Sequence, residues 1–459
     1  MRRTRNSGNV VSYILGILFL GLVGGGVYIY NSSAFEQNEP KILIEDKIYW
    51  NLRDNLKLTI SDDTGIKYYK VTYIDGENDK VLDTQVLTAP QTDIALNLEA
   101  PKLSMFNQKQ NVKLVVEATD ISKWNFFNGN SIVKEVELIV DTTRPTANVI
   151  ANTYAIVRGG SGVVVVEVKD DNLSDMYITF NDKVRYELTP FYKQNYYVAL
   201  IAWPMDIEEF SQVSLVAKDS ANNVTTTKVP LYIREYKYKT DDLKVDDRFI
   251  ENVSTEVLVN SRKPIDNDLV ARFLRANLEL RAENLATIRK VSIAGMDTAQ
   301  VDSFNISPFR RLHNSQTVAG YGDRRNYFYN NQLIDTQWHL GVDWASVKQA
   351  PIHTTNAGKV VFQDYLGIYG NTLIVEHGLG LATLYAHTSS YNVNLGDKVQ
   401  ANAQIANTGA TGAVFGDHLH FGVLVQGIEV NPLEWMDGNW IRTRITDIMQ
   451  TSKKVIDTK

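Results

Sequence analysis

The hydrophobic pattern changes character four times along the chain. Val10–Tyr30 is a nearly continuous apolar run inside a stretch, residues 6–35, that has no charged side chain. About 20 residues rising 1.5 Å each match a hydrocarbon core of ~30 Å, which predicts a transmembrane helix over 10–30. Arg2, Arg3 and Arg5 precede it. The positive-inside rule makes residues 1–9 a cytoplasmic tail and exports the rest. The competing reading is a cleaved signal peptide ending at Ser32-Ser33-Ala34. Its apolar core would be only ~7–15 residues long.

From about Lys41 to Ile233, short β-rich runs alternate with Asp/Asn/Gly turns, the pattern of strands. A weak internal repeat runs through this region. Leu56–Asp75 parallels Val163–Asn181, each a strand, an acidic turn and a second strand. Val112–Val140 parallels Val213–Ile233, each a strand, a hairpin containing Asp and a closing strand. Asp141-Thr142-Thr143-Arg144-Pro145 breaks the pattern between them, which predicts two β-sandwiches over 41–143 and 144–235. They loosely resemble the immunoglobulin-like modules of bacterial surface proteins, which implies spacers or a docking surface for an envelope protein partner.

Residues 236–300 predict a helical linker. Pro264-Ile265-Asp266 is a helix start, and Leu269, Val270, Phe273, Leu274, Leu278, Leu285 and Ile288 give one apolar face. An earlier helix is predicted from about Asp246 to Asn260. Over 301–440 the strands are short and glycine is dense, and 441–459 is left as a C-terminal tail. The predicted fold is mainly β: a transmembrane helix, two Ig-like β-sandwiches, a helical linker and an antiparallel β-sheet domain.

Composition narrows the chemistry. With 459 residues there is room for about three domains. A net charge of −6 argues against nucleic-acid binding. Cysteine is absent, so disulfides, thiolate zinc sites and a cysteine nucleophile are excluded. Any metal must be held by His, Asp or Glu. Six of the seven histidines fall between 339 and 420.

Three pieces carry the chemistry: His339-Leu340-Gly341-Val342-Asp343, Leu384-Tyr385-Ala386-His387, and His418-Leu419-His420-Phe421. His418 and His420 lie in a run that reads as a strand, so both rings enter one site. One can bind a metal while the other stands beside it. His339 and Asp343 would be about 13 Å apart on a straight strand, so the segment must bend, and Gly341 tolerates the bend. Two nitrogens and one carboxylate suit Zn²⁺ in an open, three-ligand site of the catalytic kind.

These motifs closely resemble the lysostaphin-type (LytM-like) zinc endopeptidases that cut peptide bonds in peptidoglycan. The likeness runs from about Tyr321 to Trp440. It includes Gly322-Asp323-Arg324-Arg325, Ala357-Gly358-Lys359-Val360, Gly396-Asp397-Lys398-Val399, Thr408-Gly409-Ala410-Thr411-Gly412 and Asn431-Pro432. It implies zinc ligands His339, Asp343 and His420, with His387 and His418 as catalytic histidines. By that resemblance His418 is the general base. His387 either polarises the attacking water or stabilises the oxyanion. His313, His353 and His377 are expected to be structural. Tyr365, Tyr369, Tyr385 and Asn371 are groove-lining candidates, and Asn305, His313 or Asn314 could supply a self-inhibitory ligand. The implied whole is a single-pass inner-membrane enzyme whose periplasmic domain cleaves cross-link or stem peptides. The alternative is a non-catalytic relative that binds and activates another wall hydrolase.

Overall fold

The computed structural model describes residues 8–76, 79–101 and 112–459. Most of the expected cytoplasmic tail, residues 1–7, lies outside them. Gly8–Asn31 is one helix of 24 residues, fully exposed along its apolar length. At 1.5 Å per residue it is about 36 Å long, enough to cross a bilayer. The chain divides into two compact units: Met1–Arg144 with Lys218–Asn223, and Pro145–Ala217 with Val224–Lys459.

The first unit carries a six-stranded sheet. Leu56–Ile74 sits inside it, paired with Lys41–Leu43, Asp79–Leu98 and Val112–Asp120. Alternate residues such as Leu58 and Ile60 point into the core, as a pleated strand requires. The acidic turn expected after Ile60 is instead a bulge within one long strand. The pairing register shifts between Ser61 and Ile66. Asp62 Oδ1 accepts the backbone N–H groups of Thr64 and Gly65, and Gly65 takes φ +118°. An aspartate that captures the backbone ahead of it bends a strand without ending it. The internal repeat reappears in atomic detail. Asp120 binds the backbone and side-chain N–H groups of Asn130, and Asp219 does the same to Asn223.

In the second unit, two four-stranded sheets are built from residues 146–217 and 224–228 and share buried residues with the domain that follows. That domain is built on an eight-stranded sheet. Its order is Gln316–Ala319, Val342–Ala345, Leu419–Val425, Leu381–Ala386, Asn371–Glu376, Gly358–Tyr365 and Lys398–Val399, with Ile428–Val430 paired to Leu419–Val425. The helical segment opens with the run Asp247–Asn260, as expected, and its next helix begins one turn later than Pro264 suggests. Asp268 caps Leu269–Leu274 by accepting the Ala271 N–H, while Asp266 is drawn into an ion pair with Arg275. Val257, Leu258, Ala276, Leu280 and Ile288 pack against Ile374, Leu384 and Leu424 of the large sheet, so the helices brace it.

The last residues are more ordered than a tail. Asp447–Asp457 is a helix, preceded by a π-turn over Arg442–Thr446. Ile441, Ile445, Met449 and Ile456 are buried in the main core. Their spacing of three to four residues, with one turn skipped at Ser452, is that of an amphipathic helix.

Candidate active site

Strand pairing gathers the site. Val342–Ala345 runs antiparallel to Leu419–Val425, and the register sets Asp343 directly opposite His420. Directly opposed residues project to the same face of the sheet. On the other side of Leu419–Val425, Ala386 pairs with His420, so His387 arrives at the strand end beside it. His418 lies two residues before His420 and bridges Gly409. His339 enters from the turn before Val342.

Three ligand-type atoms meet. His339 Nε2 stands 3.0 Å from Asp343 Oδ1 and 3.1 Å from His420 Nδ1, and His420 Nδ1 is 2.8 Å from Asp343 Oδ1. All three residues are buried. His339 Nδ1 lies 2.7 Å from the Gly320 carbonyl, which can only accept, so Nδ1 carries the proton and Nε2 presents a lone pair. The Gly320 carbonyl is aimed by its own neighbours. Asp323 Oδ2 accepts the Gly320 N–H, and the Asp323 carbonyl accepts the His339 N–H.

The sequence reading assigned Gly341 to a bend. The backbone does bend there, without entering the left-handed region, and space is a second reason for glycine. A Cβ there would lie 2.5 Å from His420 Cε1 and Nε2.

The electrostatics favour a cation. Burial pushes the Asp343 carboxyl up, yet the charge and hydrogen bonds of His339 and His420 outweigh it and hold the group well below the usual range. Burial drives His420 down, to about 4, against the pull of Asp343. An ionised carboxylate oxygen and two imidazole nitrogens therefore converge within 2.8–3.1 Å of one another. His420 Nε2 is buried with no partner among the described residues. Such a donor set fits Zn²⁺, which accepts His nitrogen and carboxylate oxygen in four-coordinate sites.

Two more histidines face this cluster. His387 Nδ1 donates to the Thr411 carbonyl at 2.8 Å and His418 Nδ1 to the Gly416 carbonyl at 2.8 Å. Each is thereby fixed with a lone pair on Nε2. Their ring centroids are 4.9 Å apart, and His418 Nε2 is 3.8 Å from Asp343 Oδ1. Burial, then the nearby charges of His418 and His420, hold His387 well below the ordinary histidine range. His387 also sits at φ +61°, a conformation that costs a β-carbon residue energy and recurs at functional sites. His418 is only partly buried.

A cavity of about 560 Å³ opens over the cluster. The helical segment contributes Phe249, Val257 and Phe273 to its wall, and Phe415 reaches Phe249 at 4.8 Å between centroids. Arg325 Nη2 stands 3.5 Å from Asp343 Oδ2, a contact the sequence motif contained but did not single out. Tyr369 is buried, donates to Glu429 and meets the His420 ring edge-on at 5.6 Å. Of the four groove candidates it alone lines this cavity. Tyr385 faces the reverse side of the sheet, against Phe421. His377 is satisfied by the Ala357 carbonyl and Thr383. His313 and His353 are exposed, and Asn305, His313 and Asn314 do not line the cavity.

Part of the chain is similar in sequence to known proteins. The family model described as Peptidase family M23 matches residues 337–432. The peptidoglycan DD-endopeptidase ShyB of Vibrio cholerae is 32% identical over 132 residues, 29% of this chain and 30% of that protein. The DD-carboxypeptidase/endopeptidase Mpg of Neisseria meningitidis is 35% identical over 130 residues, 28% of each chain. Stage II sporulation protein Q of Bacillus subtilis is 30% identical over 141 residues, 30% of this chain and 49% of that one. In each case the likeness spans less than half of the relative's length.

Proposed function

Residues 337–432 of this chain belong to Peptidase family M23, and from that premise we propose a membrane-anchored zinc endopeptidase that hydrolyses peptide bonds in peptidoglycan cross-links or stem peptides. The observation that carries the proposal is the convergence of His339 Nε2, Asp343 Oδ1 and His420 Nδ1, with the lone pairs of His387 and His418 beside them. The substrate class is supported by the activities for which the Vibrio and Neisseria relatives are named. In this reading Gly8–Asn31 anchors the chain in the inner membrane by a single pass. The site works in the periplasm, and the β-modules serve as a spacer or as a surface for an envelope partner.

His339, Asp343 and His420 would hold Zn²⁺, which supplies Lewis-acid polarisation of the scissile carbonyl. The remaining work belongs to the side chains. His418 Nε2 accepts a proton from the attacking water and returns it to the leaving amine; its partial exposure suits that exchange. A positioned histidine in this role contributes roughly 10²–10⁴ in rate. His387 is neutral and presents an acceptor, so it orients the same water. A neutral acceptor gives nothing to an oxyanion, which favours the first of its two expected roles. Arg325 occupies the second oxygen of Asp343 and leaves the first for the histidine pair.

The test is digestion of cross-linked muropeptides by the purified full chain. Cross-linked dimers should fall to monomers, stop in excess chelator and resume on adding Zn²⁺. Persistent cleavage in excess chelator removes the metal from the mechanism. The second reading, an activator of another hydrolase, is favoured by the sporulation relative, whose name carries no hydrolase activity. It predicts a chain that retains metal, cleaves nothing and accelerates a partner.

A further inference from the structure

The structure assigns a second membrane contact to the turn at Trp124–Phe127: its aromatic rings lie in the headgroup boundary beside the end of the apolar helix. The inference rests on the membrane-anchored reading of Gly8–Asn31 and adds to it how the first β-unit meets the bilayer.

The turn displays what a soluble fold hides. Phe126 is 92% exposed and Phe127 69%, and Ile121 and Trp124 are exposed beside them. The backbone is strained to do so. Asn125, Phe126 and Phe127 take φ of +52°, +57° and +69°, three consecutive left-handed residues of which two are phenylalanine. Side chains with a Cβ disfavour that region, and asparagine tolerates it better than phenylalanine. A segment that accepts such strain while burying little is not shaped by the core.

Its address points to lipid. The apolar helix ends at Asn31, and Phe35 follows four residues later, as the last residue of a single 3₁₀ turn. Four residues reach at most about 14 Å. Phe35 meets Phe127 edge-on at 6.4 Å between centroids, and the Lys123 N–H donates to the Ala34 carbonyl. Ser122 and Asn130 both donate to the Glu36 carbonyl. The turn is therefore tied to the segment that leaves the bilayer. Tyr28 and Tyr30, exposed on the last turn of the helix, extend the same aromatic group. Aromatic rings at the membrane–water interface are the usual anchors of a spanning helix. Between Ile121 and Asn130 the only charged residue is Lys123, so no carboxylate of the loop is driven into the interface. Contact should therefore hold on zwitterionic lipid and respond weakly to salt.

The absence of cysteine gives a clean test. Full-length Phe126→Cys, carrying one environment-sensitive fluorophore, is reconstituted in phosphatidylcholine vesicles, with Leu395→Cys as an exposed reference. Nitroxide-bearing lipid should quench position 126 several-fold more than 395, and aqueous iodide several-fold less. Equal access of iodide to both labels overturns the inference. A second measurement needs no label. The apolar helix contains no tryptophan, so brominated lipid should quench the unmodified chain chiefly through Trp124, and Trp124→Phe should abolish most of that quenching. Unchanged quenching in the variant overturns the inference. Alkaline extraction separates the two readings. A chain that stays in the vesicles but shows a water-exposed turn defeats this inference alone, whereas a chain that is released defeats the anchor and the inference together.

Discussion

At the His339–Asp343–His420 centre, polar atoms are packed inside the fold; at the Trp124–Phe127 turn, aromatic rings are left uncovered by it. Both regions run against the hydrophobic sorting that shapes the rest of the chain, in opposite directions. The first is supported atom by atom: Gly320, Thr411 and Gly416 carbonyls fix three imidazoles, and Asp323 fixes Gly320. The second has its backbone hydrogen-bonded within the turn and its root tied to Ala34, Phe35 and Glu36, while the rings of Phe126 and Phe127 stay largely uncovered. The difference teaches what each place requires of a ligand. A buried polar cluster needs a small, charged occupant in a fixed position. An exposed apolar turn needs an extended surface that tolerates movement. Local rules broken without internal compensation are where function is expected to show.

The polar centre can be broken most severely at its ligands. His339→Ala or Asp343→Ala should lose bound metal and all measurable turnover, read by elemental analysis beside muropeptide digestion. Full zinc retention in His339→Ala would contradict the ligand assignment. His387→Ala and His418→Ala sharpen the contrast between holding and reacting. Each should keep its metal and lose roughly 10²–10⁴ in turnover. If either variant loses the metal instead, that histidine belongs among the ligands.

Burial of polar groups also leaves a thermodynamic trace that the exposed turn cannot. Glu429 accepts from Tyr369 behind His420, and desolvation pushes its carboxyl up to about 7. Its folded pKa lies above the unfolded value, so its contribution to stability is full at low pH and is lost as pH rises through 7. A shift from about 4.5 to about 7 is worth about 3 kcal/mol as an upper figure. Glu376 and Glu434 are raised to about 7 by the same cause. Urea unfolding at pH 5 and pH 8 should show the native chain losing stability with pH, and Glu429→Gln losing less. Identical slopes would show that Glu429 titrates as in water. Gly341→Ala comes next. A methyl group 2.5 Å from the His420 ring should cost about 1–3 kcal/mol and weaken metal retention. Unaltered stability and metal content would mean that the ring has room to move.

How legible each region is in the sequence follows from the same contrast. His339, Asp343, His387, His418 and His420 are rare residues at fixed spacings in a chain with seven histidines, so all five could be named before the sheet was known. Their register could not, because the Asp343–His420 pairing is a contact between strands 77 residues apart. Gly341 was legible as a bend, which is a local property, whereas the close approach of His420 that also calls for glycine there is not. The supporting carbonyls carry no side-chain signature at all. The terminal helix was readable in Ile441, Ile445, Met449 and Ile456, but its polar face resembles a tail. Trp124–Phe127 falls in the hairpin expected within Val112–Val140, but nothing in the residue pattern signals its left-handed backbone or the exposure of its rings.

That backbone supplies the finest test of the comparison. Phe126 buries almost nothing, so replacing it removes little packing. At φ +57° a phenylalanine pays about 1–2 kcal/mol for the left-handed region, and glycine does not. Glycine costs roughly 0.5–1 kcal/mol through the greater freedom of its unfolded chain. The difference leaves Phe126→Gly neutral to about 1.5 kcal/mol more stable than the native chain in denaturant unfolding, while muropeptide turnover stays unchanged. A loss of more than about 1 kcal/mol would mean that the ring is packed and that the turn belongs to the fold. A gain would show a residue kept at the expense of stability, as expected of one whose partner lies outside the chain.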